Sequence, residues 1–171
     1  MNPKTRPRMD AIPTLRRLTA PHHHNQIDRV AAKKALTGSR VLMVEDSLIN
    51  QLVLREILEH VGVHVTAANN GREALTVMTC EAGRFDLVLM DLQMPVLDGY
   101  EATRILRKEW SADQLPIIAV TAHALQEDRQ HCLQVGMNDH LTKPVDQDQL
   151  YLCLLKWLKG SCCSGQQQGE A

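Results

Sequence analysis

Short apolar runs alternate with longer mixed segments over most of this 171-residue chain. Runs of four or five apolar residues between polar boundaries are typical of strands that a parallel sheet buries on both faces. Five such strands are predicted, at 40–44, 63–67, 85–91, 117–120 and 138–141. The run at 85–91 is the most distinctive, because it is interrupted only by Asp86 and ends at the carboxylate of Asp91.

The segments between the predicted strands have the spacing and the capping residues of helices. After the first strand, Ser47 can cap a helix with one apolar stripe, which is predicted to face the core. Asp98 with Glu101, and Asp146 with Gln149, have the spacing of capping boxes. The stripe after Ser47 comprises Ile49, Leu52, Val53 and Ile57. A second helix, over 71–80 and capped by Asn70, is predicted to face inward with Ala74, Leu75 and Met78. One further helix is predicted at about 123–135, and the last helix is predicted to face inward with Leu150, Leu154, Trp157 and Leu158.

Five strands alternating with five helices over 39–159 predict a doubly wound α/β domain, in which helices cover both faces of a five-stranded parallel sheet. Residues 1–38 are predicted to be a basic flexible tail or linker, in which Ile27, Val30, Ala31 and Ala35 have the spacing of a short helix face. Residues 160–171 are predicted to be a polar C-terminal tail.

Charge is distributed unevenly along the chain. Residues 1–38 hold eight Lys and Arg against two Asp and Glu, whereas residues 39–171 hold 11 against 18. An acidic domain of this kind argues against direct nucleic-acid binding. The five cysteines are odd in number and form no CxxC pair, so reduced, buried thiols and a cytoplasmic setting are expected. No apolar run has the length of a membrane span.

Carboxylates, a hydroxyl and an ammonium group lie at the ends of four of the predicted strands. Glu45 and Asp46 follow the first, Asp91 ends the third, Thr121 follows the fourth and Lys143 follows the fifth. Because the carboxyl ends of parallel strands share one edge, three carboxylates would crowd there and repel one another. A divalent cation with oxygen ligands relieves that repulsion, and Mg²⁺ fits two or three carboxylates plus water. An aspartate can also act as a nucleophile toward phosphorus.

The motifs VEDS, MDLQMP, VTAHA and LTKPV, spread over 40–158, are together highly specific. They resemble receiver domains of two-component response regulators, especially those attached to hybrid sensor histidine kinases. The resemblance implies strand order 2-1-3-4-5 and makes Asp91 the phosphoacceptor. It also implies that Asp46 binds Mg²⁺ directly, that Glu45 acts through water, and that Gln93 supplies a backbone carbonyl to the metal.

The same resemblance assigns the phosphate contacts. The Thr121 hydroxyl, the backbone N–H of Ala122 and the Lys143 ammonium would bind phosphoryl oxygens, and the Lys143–Pro144 peptide would be cis. His140 departs from the family pattern, because an aromatic switch residue often stands there. The conformational switch that couples Thr121 to that aromatic residue would therefore be weakened, or the His140 imidazole would take the part of the aromatic ring.

The resemblance implies that the domain takes a phosphoryl group from a histidine kinase or a histidine phosphotransfer domain. Beyond its own phosphorylation and dephosphorylation, no enzyme activity is expected. The start of the helix after Ser47 and the loop after the fifth strand lie beside the site, so Leu48, Ile49 and Val145 are predicted docking residues. Leu48 is the better candidate, because it lies off the predicted core stripe.

Three other interpretations compete with this one. A flavodoxin-type FMN module would need a phosphate loop after the first strand, where this chain has EDSLIN. A haloacid dehalogenase would need a second Asp two residues after its nucleophile, where this chain has Gln93. A receiver-like scaffold that binds a partner without phosphorylation stays open as an alternative. Labelling by acetyl phosphate with Mg²⁺ discriminates between such a scaffold and a phosphoacceptor domain.

Overall fold

A five-stranded parallel sheet with helices on both faces forms the body of the protein. The computed structural model describes residues 28–81, 84–122 and 126–158. The strand order is β2-β1-β3-β4-β5, so the predicted fold class and order are confirmed. The strands are β1 Arg40–Val44, β2 His64–Ala68, β3 Leu87–Asp91, β4 Ile117–Thr121 and β5 Asp139–Thr142.

Six helices surround this sheet in the described part of the chain: α1 Arg29–Leu36, α2 Leu48–His60, α3 Gly71–Cys80, α4 Gly99–Leu106, α5 Gln126–Gln134 and α6 Gln147–Leu158. The predicted caps hold, because side-chain oxygens of Ser47, Asn70 and Asp98 accept from backbone N–H groups one turn on. The predicted start of α5 near His123 and the predicted tails at 1–27 and 160–171 lie outside the described residues.

Two apolar clusters cover the two faces of the sheet. Alternate residues of β1 divide between them: Val41 and Met43 belong to one cluster, Leu42 and Val44 to the other. β3 is buried along its whole length, as a central parallel strand covered on both sides must be. The sheet therefore presents its carboxyl edge, where Asp91 lies, as its chemically distinctive surface.

The predicted core stripe of α2 is wrong. Ile49, Leu52 and Val53 are 74%, 66% and 53% exposed, and only Ile57 is partly buried. The helix instead buries Gln51, Leu54 and Leu58, which recur at the same helical spacing on another face. That face prevails because it places Leu54 and Leu58 in the core cluster and the amide of Gln51 within reach of the carbonyl of Glu45.

The described part of the predicted tail, residues 28–38, packs on the domain. α1 buries Ala32 and Leu36, and Leu36 joins the core cluster that contains Leu154 and Leu158 of α6. The short helix is present, and the described residues with the predicted spacing, Val30, Ala31 and Ala35, lie on its exposed side. The Gly38 N–H donates to the carbonyl of Gly62 over 2.8 Å, which fixes the end of α1 against the turn after α2.

The described cysteines carry free thiols, as expected, but they are not all buried. Cys132 and Cys153 are buried, whereas Cys80 is exposed at the end of α3; Cys162 and Cys163 lie outside the described residues. None of the helices within the described ranges has the length and apolar character that crossing a membrane requires.

Candidate functional site

Three carboxylates from two strand ends meet at the carboxyl edge of the sheet. Glu45, Asp46 and Asp91 each offer an oxygen, and these atoms all lie within 4.8 Å of one another. Glu45 and Asp91 are only 1% and 4% exposed, whereas Asp46 faces solvent. The predicted acidic cluster is therefore present, with one member open to incoming ligands.

Lys143 joins the two buried carboxylates. Its Nζ lies 2.7 Å from Oδ2 of Asp91, to which it donates a hydrogen bond. It also lies 2.7 Å from Oε2 of Glu45, with which it forms an ion pair. The Lys143 backbone N–H donates to the carbonyl of Thr121 over 2.7 Å, and the Lys143–Pro144 peptide is cis, as predicted.

The start of α2 orients Glu45 through a residue that the sequence analysis missed. The Asn50 side-chain amide donates to Oε1 of Glu45 over 2.9 Å, and the Ser47 N–H lies 3.3 Å from the same oxygen. Gln51 donates to the Glu45 carbonyl over 2.6 Å and to the Asn69 side chain over 2.9 Å. The spacing of Gln51 with Leu54 and Leu58 is the signal that could have revealed this inward face.

Close backbone packing surrounds Asp91. The Gln93 N–H donates to its Oδ1 over 3.1 Å, so the two carboxylate oxygens have separate partners. A Cβ atom at Gly99 would collide with the Asp91 carbonyl oxygen, which leaves glycine as the residue that fits there. The first turn of α4 therefore lies directly against the end of β3.

For both Asp91 and Lys143, burial and the hydrogen bonds to charged neighbours shift the pKa in opposite directions. Burial raises the pKa of Asp91 above its usual range, although hydrogen bonds from Lys143 and the Gln93 N–H oppose this shift. Burial lowers the pKa of Lys143, but its bonds to Asp91 and Glu45 outweigh this and raise the pKa overall. Lys143 is therefore held as a cation between the carboxylates.

The acidic cluster fits a hard divalent cation. Three carboxylates converge while a single ammonium approaches the two buried ones, so negative charge remains in excess on the side of Asp46. Oxygen donors of this kind, with one exposed member, suit Mg²⁺, which keeps part of its water shell. The Gln93 N–H donates to the Asp91 carboxylate, and the role of the Gln93 carbonyl as a metal ligand stays a prediction.

Thr121, Ala122 and His140, the other predicted site residues, lie on β4 and β5 or directly after them. Thr121 ends β4 and is buried, and Ala122 follows it in an exposed bend. His140 lies within β5, paired in register with Ala119. It lines a small cavity of about 70 Å³ together with Asp139 and residues of α5 and α6, so the structure does not bring it into the carboxylate cluster.

Two of the three predicted docking residues, Leu48 and Ile49, are exposed beside the site. Leu48 is 69% exposed, and with Ile49, Leu52 and Val53 it forms the surface called here the α2 patch. Val145 is partly buried, in a neighbouring cavity of about 220 Å³. That cavity is lined by Asn50, Val53, Leu54, Lys143, Pro144 and Val145, so it links the patch to the lysine of the cluster.

Known proteins resemble this chain over most of its described residues. Sensor protein GacS of Pseudomonas syringae pv. syringae is 45% identical over an alignment of 122 residues, which covers 69% of this chain and 13% of that protein. The chain thus spans only a small part of this curated relative. The receiver domain of sensor histidine kinase PA1611 from Pseudomonas aeruginosa PAO1, solved with a magnesium ion in its active site cleft, is 44% identical. It has a TM-score of 0.63, with 72% of this chain and 99% of that chain covered.

A second solved structure is the co-crystal of the Saccharomyces cerevisiae histidine phosphotransfer signaling protein Ypd1 with the receiver domain of its downstream response regulator Ssk1. The match is 36% identical with a TM-score of 0.64, and covers 71% of this chain and 90% of that chain. The family model for the response regulator receiver domain matches residues 41–154. With its strand order and the acidic edge of its sheet, the chain therefore belongs to the response regulator receiver domain family.

Proposed function

We propose that this domain accepts a phosphoryl group on Asp91 from a phosphohistidine, and then relays the group or changes conformation. The observation that carries the proposal is the position of Lys143 Nζ, 2.7 Å from both Asp91 and Glu45, at a buried acidic edge. Phosphoryl transfer depends mainly on positioning and on neutralising charge, and this arrangement supplies both.

In the proposed reaction, a carboxylate oxygen of Asp91 forms a bond to phosphorus. The bond from phosphorus to the donor imidazole nitrogen breaks, and its electron pair stays with that nitrogen. Lys143 would exchange part of its contact with Asp91 for a phosphoryl oxygen. Thr121, through its hydroxyl, and Ala122, through its backbone N–H, are the proposed donors to the remaining oxygens, because both stand at the end of the neighbouring strand.

Asp46, Asp91 and the backbone carbonyl of Gln93 are the proposed ligands of Mg²⁺, with Glu45 acting through water. When bound, the cation supplies positive charge that reduces repulsion between the carboxylates and the incoming phosphoryl group. Support comes from the three converging carboxylates and from the magnesium ion in the cleft of the similar PA1611 receiver.

The proposed phosphodonor is a histidine-bearing helical domain, either of a histidine kinase or of a histidine phosphotransfer protein. Its histidine must come within bonding distance of Asp91, so its surface must cover the residues around that edge. The exposed α2 patch offers apolar contact area there. The similar Ssk1 receiver was solved in complex with such a phosphotransfer protein.

A cytoplasmic setting, and activity limited to the domain's own phosphorylation and dephosphorylation, are part of this proposal. The buried free thiols of Cys132 and Cys153 agree with a reducing compartment. No observation favours a scaffold without phosphorylation, because each acidic or basic residue that the chemistry requires is present in the cluster.

Treatment with acetyl phosphate tests the proposal. With Mg²⁺, the intact mass should rise by one phosphoryl group, and removal of Mg²⁺ with a chelator should suppress the rise. Asp91→Asn should abolish it, whereas Asp113→Asn, at an exposed position between α4 and β4, should leave it unchanged. Full labelling of the Asp91→Asn chain would refute the proposal.

A further inference from the structure

Two acidic side chains share one ammonium group in the carboxylate cluster. Lys143 Nζ lies 2.7 Å from Oδ2 of Asp91 and 2.7 Å from Oε2 of Glu45. In the proposed reaction this ammonium must also reach a phosphoryl oxygen on Asp91, so its attraction to Glu45 opposes the movement. The way in which the Glu45 carboxylate is held therefore affects how easily Lys143 reaches the phosphoryl group.

The backbone of Glu45 is fixed on both sides. Its N–H donates to the carbonyl of Ala68 over 3.0 Å, and its carbonyl accepts from the Gln51 side-chain amide over 2.6 Å. The same amide donates to the side chain of Asn69 over 2.9 Å, which joins α2 to the residue after β2. The freedom that Glu45 retains is therefore the rotation of its side chain.

The two carboxylate oxygens of Glu45 have different partners. Oε1 accepts from the Asn50 side-chain amide over 2.9 Å and from the Ser47 N–H over 3.3 Å, whereas Oε2 faces Lys143. Hydrogen bonds to an ionised group are roughly twice as strong as those between neutral groups. Because Glu45 is only 1% exposed, water does not readily replace a lost donor, so the short bond from Asn50 carries weight.

We propose that Asn50 is a positioning residue for phosphoryl transfer to Asp91. Its amide binds Oε1 of Glu45, which fixes the rotation of the carboxylate and leaves Oε2 to face Lys143. When Lys143 moves toward the phosphoryl group, the buried carboxylate keeps one strong donor, so the movement costs less. This inference rests on the proposed function and assigns Asn50 a role that acts through Glu45, without contact to the substrate.

The surroundings of Asn50 allow its amide to be removed with little disturbance of the fold. The residue lies in the first turn of α2, where its backbone N–H donates to the Ser47 hydroxyl, and a leucine retains that contact. Its side chain borders the cavity of about 220 Å³ that Val53 and Val145 also line. A leucine, which has the same branched shape, would therefore have apolar neighbours there.

The full chain carrying Asn50→Leu tests the proposal, with acetyl phosphate as donor and saturating Mg²⁺. The maximum rate of labelling should fall about tenfold, an effect typical of residues that orient groups in a metal site. The donor concentration that gives half the maximum rate should not change, because the Asn50 amide contacts Glu45 and not the donor. Gln134→Leu, which removes an exposed amide from α5, is the matched control and should change neither value.

A double-mutant cycle distinguishes positioning through Glu45 from general support of the fold. In a Glu45→Gln background the neutral side chain no longer attracts the ammonium, so adding Asn50→Leu should lower the maximum rate less than about twofold. A tenfold fall in that background as well would overturn the proposal, because Asn50 would then act independently of Glu45. An unchanged rate in Asn50→Leu alone would also overturn it.

Thermal unfolding without Mg²⁺ gives a readout that does not depend on the reaction. Asn50→Leu should lower the unfolding midpoint by about 5 °C, because a buried carboxylate loses a donor. The decrease should be at most about half as large in the Glu45→Gln background, and equal decreases would contradict the proposal. If acetyl phosphate does not label the wild-type chain, the proposed function fails and this inference fails with it. A labelled wild type with an unchanged Asn50→Leu rate overturns the inference alone.

Discussion

Lys143 Nζ and Asp91 Oδ2 lie 2.7 Å apart, although 52 residues separate them along the chain. The contact exists because β3 and β5 end at the same edge of the sheet, on either side of β4. It holds a cation against the one buried aspartate of the cluster, in a place where the pKa of that aspartate is raised by burial. The same ammonium can later neutralise a phosphoryl group on that aspartate.

Removing the Lys143 ammonium should destabilise the domain and slow phosphorylation. Lys143→Ala would leave Glu45 and Asp91 buried without their counter-charge, and we expect a loss of about 3 kcal/mol in the free energy of unfolding. Because Mg²⁺ offers a replacement cation, the loss should be smaller in its presence. Urea unfolding with and without Mg²⁺ measures both effects, and Lys108→Ala, at an exposed position, is the control. An equal loss with and without Mg²⁺ would contradict the metal site.

Asp46 is the exposed carboxylate of the cluster, so replacing it should alter Mg²⁺ affinity more than the stability of the fold. Asp46→Asn should weaken Mg²⁺ binding about tenfold or more, the range that even outer-shell changes produce in metal sites. In the absence of Mg²⁺ the variant should be at least as stable as the wild type, because one of three repelling charges is removed. Calorimetric titration with Mg²⁺ checks the first expectation, and an unchanged affinity would remove Asp46 from the ligand set.

Leu48→Glu should separate the two kinds of phosphodonor. A charge in the α2 patch should slow transfer from a phosphohistidine domain by about tenfold, since buried anchors are worth 1–2 kcal/mol or more. It should leave labelling by acetyl phosphate intact, because Leu48 is exposed and outside the cluster. Leu133→Glu, on the exposed face of α5, is the control and should affect neither donor. If the Leu48 variant loses both activities together, the residue supports the site rather than docking.

Leu36→Ala tests whether α1 is part of the domain. Leu36 is fully buried in the core cluster with residues of α6, so its truncation should lower the free energy of unfolding by about 3 kcal/mol. Val30→Ala, on the exposed side of the same helix, should change stability by less than about 0.5 kcal/mol. Urea unfolding of both variants decides the matter, and equal stabilities would mean that α1 is a dispensable tail.

The strand ends were predictable because short apolar runs stop at chemically distinctive residues such as Asp91 and Glu45. The inward face of α2 was not predictable, because its sequence holds two sets of residues at helical spacing. Only packing against the sheet determines which set is buried. Asn50 and Gln51 contact Glu45 because of that selection. The packing of Leu36 against α6 depends on residues more than a hundred positions later in the chain. Pro95 indicated a turn, but the positive φ of Val96 follows from the packing of its neighbours on both sides against the core.

The most direct measurement locates the phosphoryl group after transfer from a phosphohistidine donor. Trypsin should release residues 85–104 as one fragment, since Arg84 and Arg104 bound it and no Lys or Arg lies between. That fragment contains three candidate aspartates, Asp86, Asp91 and Asp98. Fragment-ion sequencing should find the added mass on Asp91 alone, and only when Mg²⁺ was present during transfer. Added mass on Asp86 or Asp98, or labelling that persists in Asp91→Asn, would contradict the account.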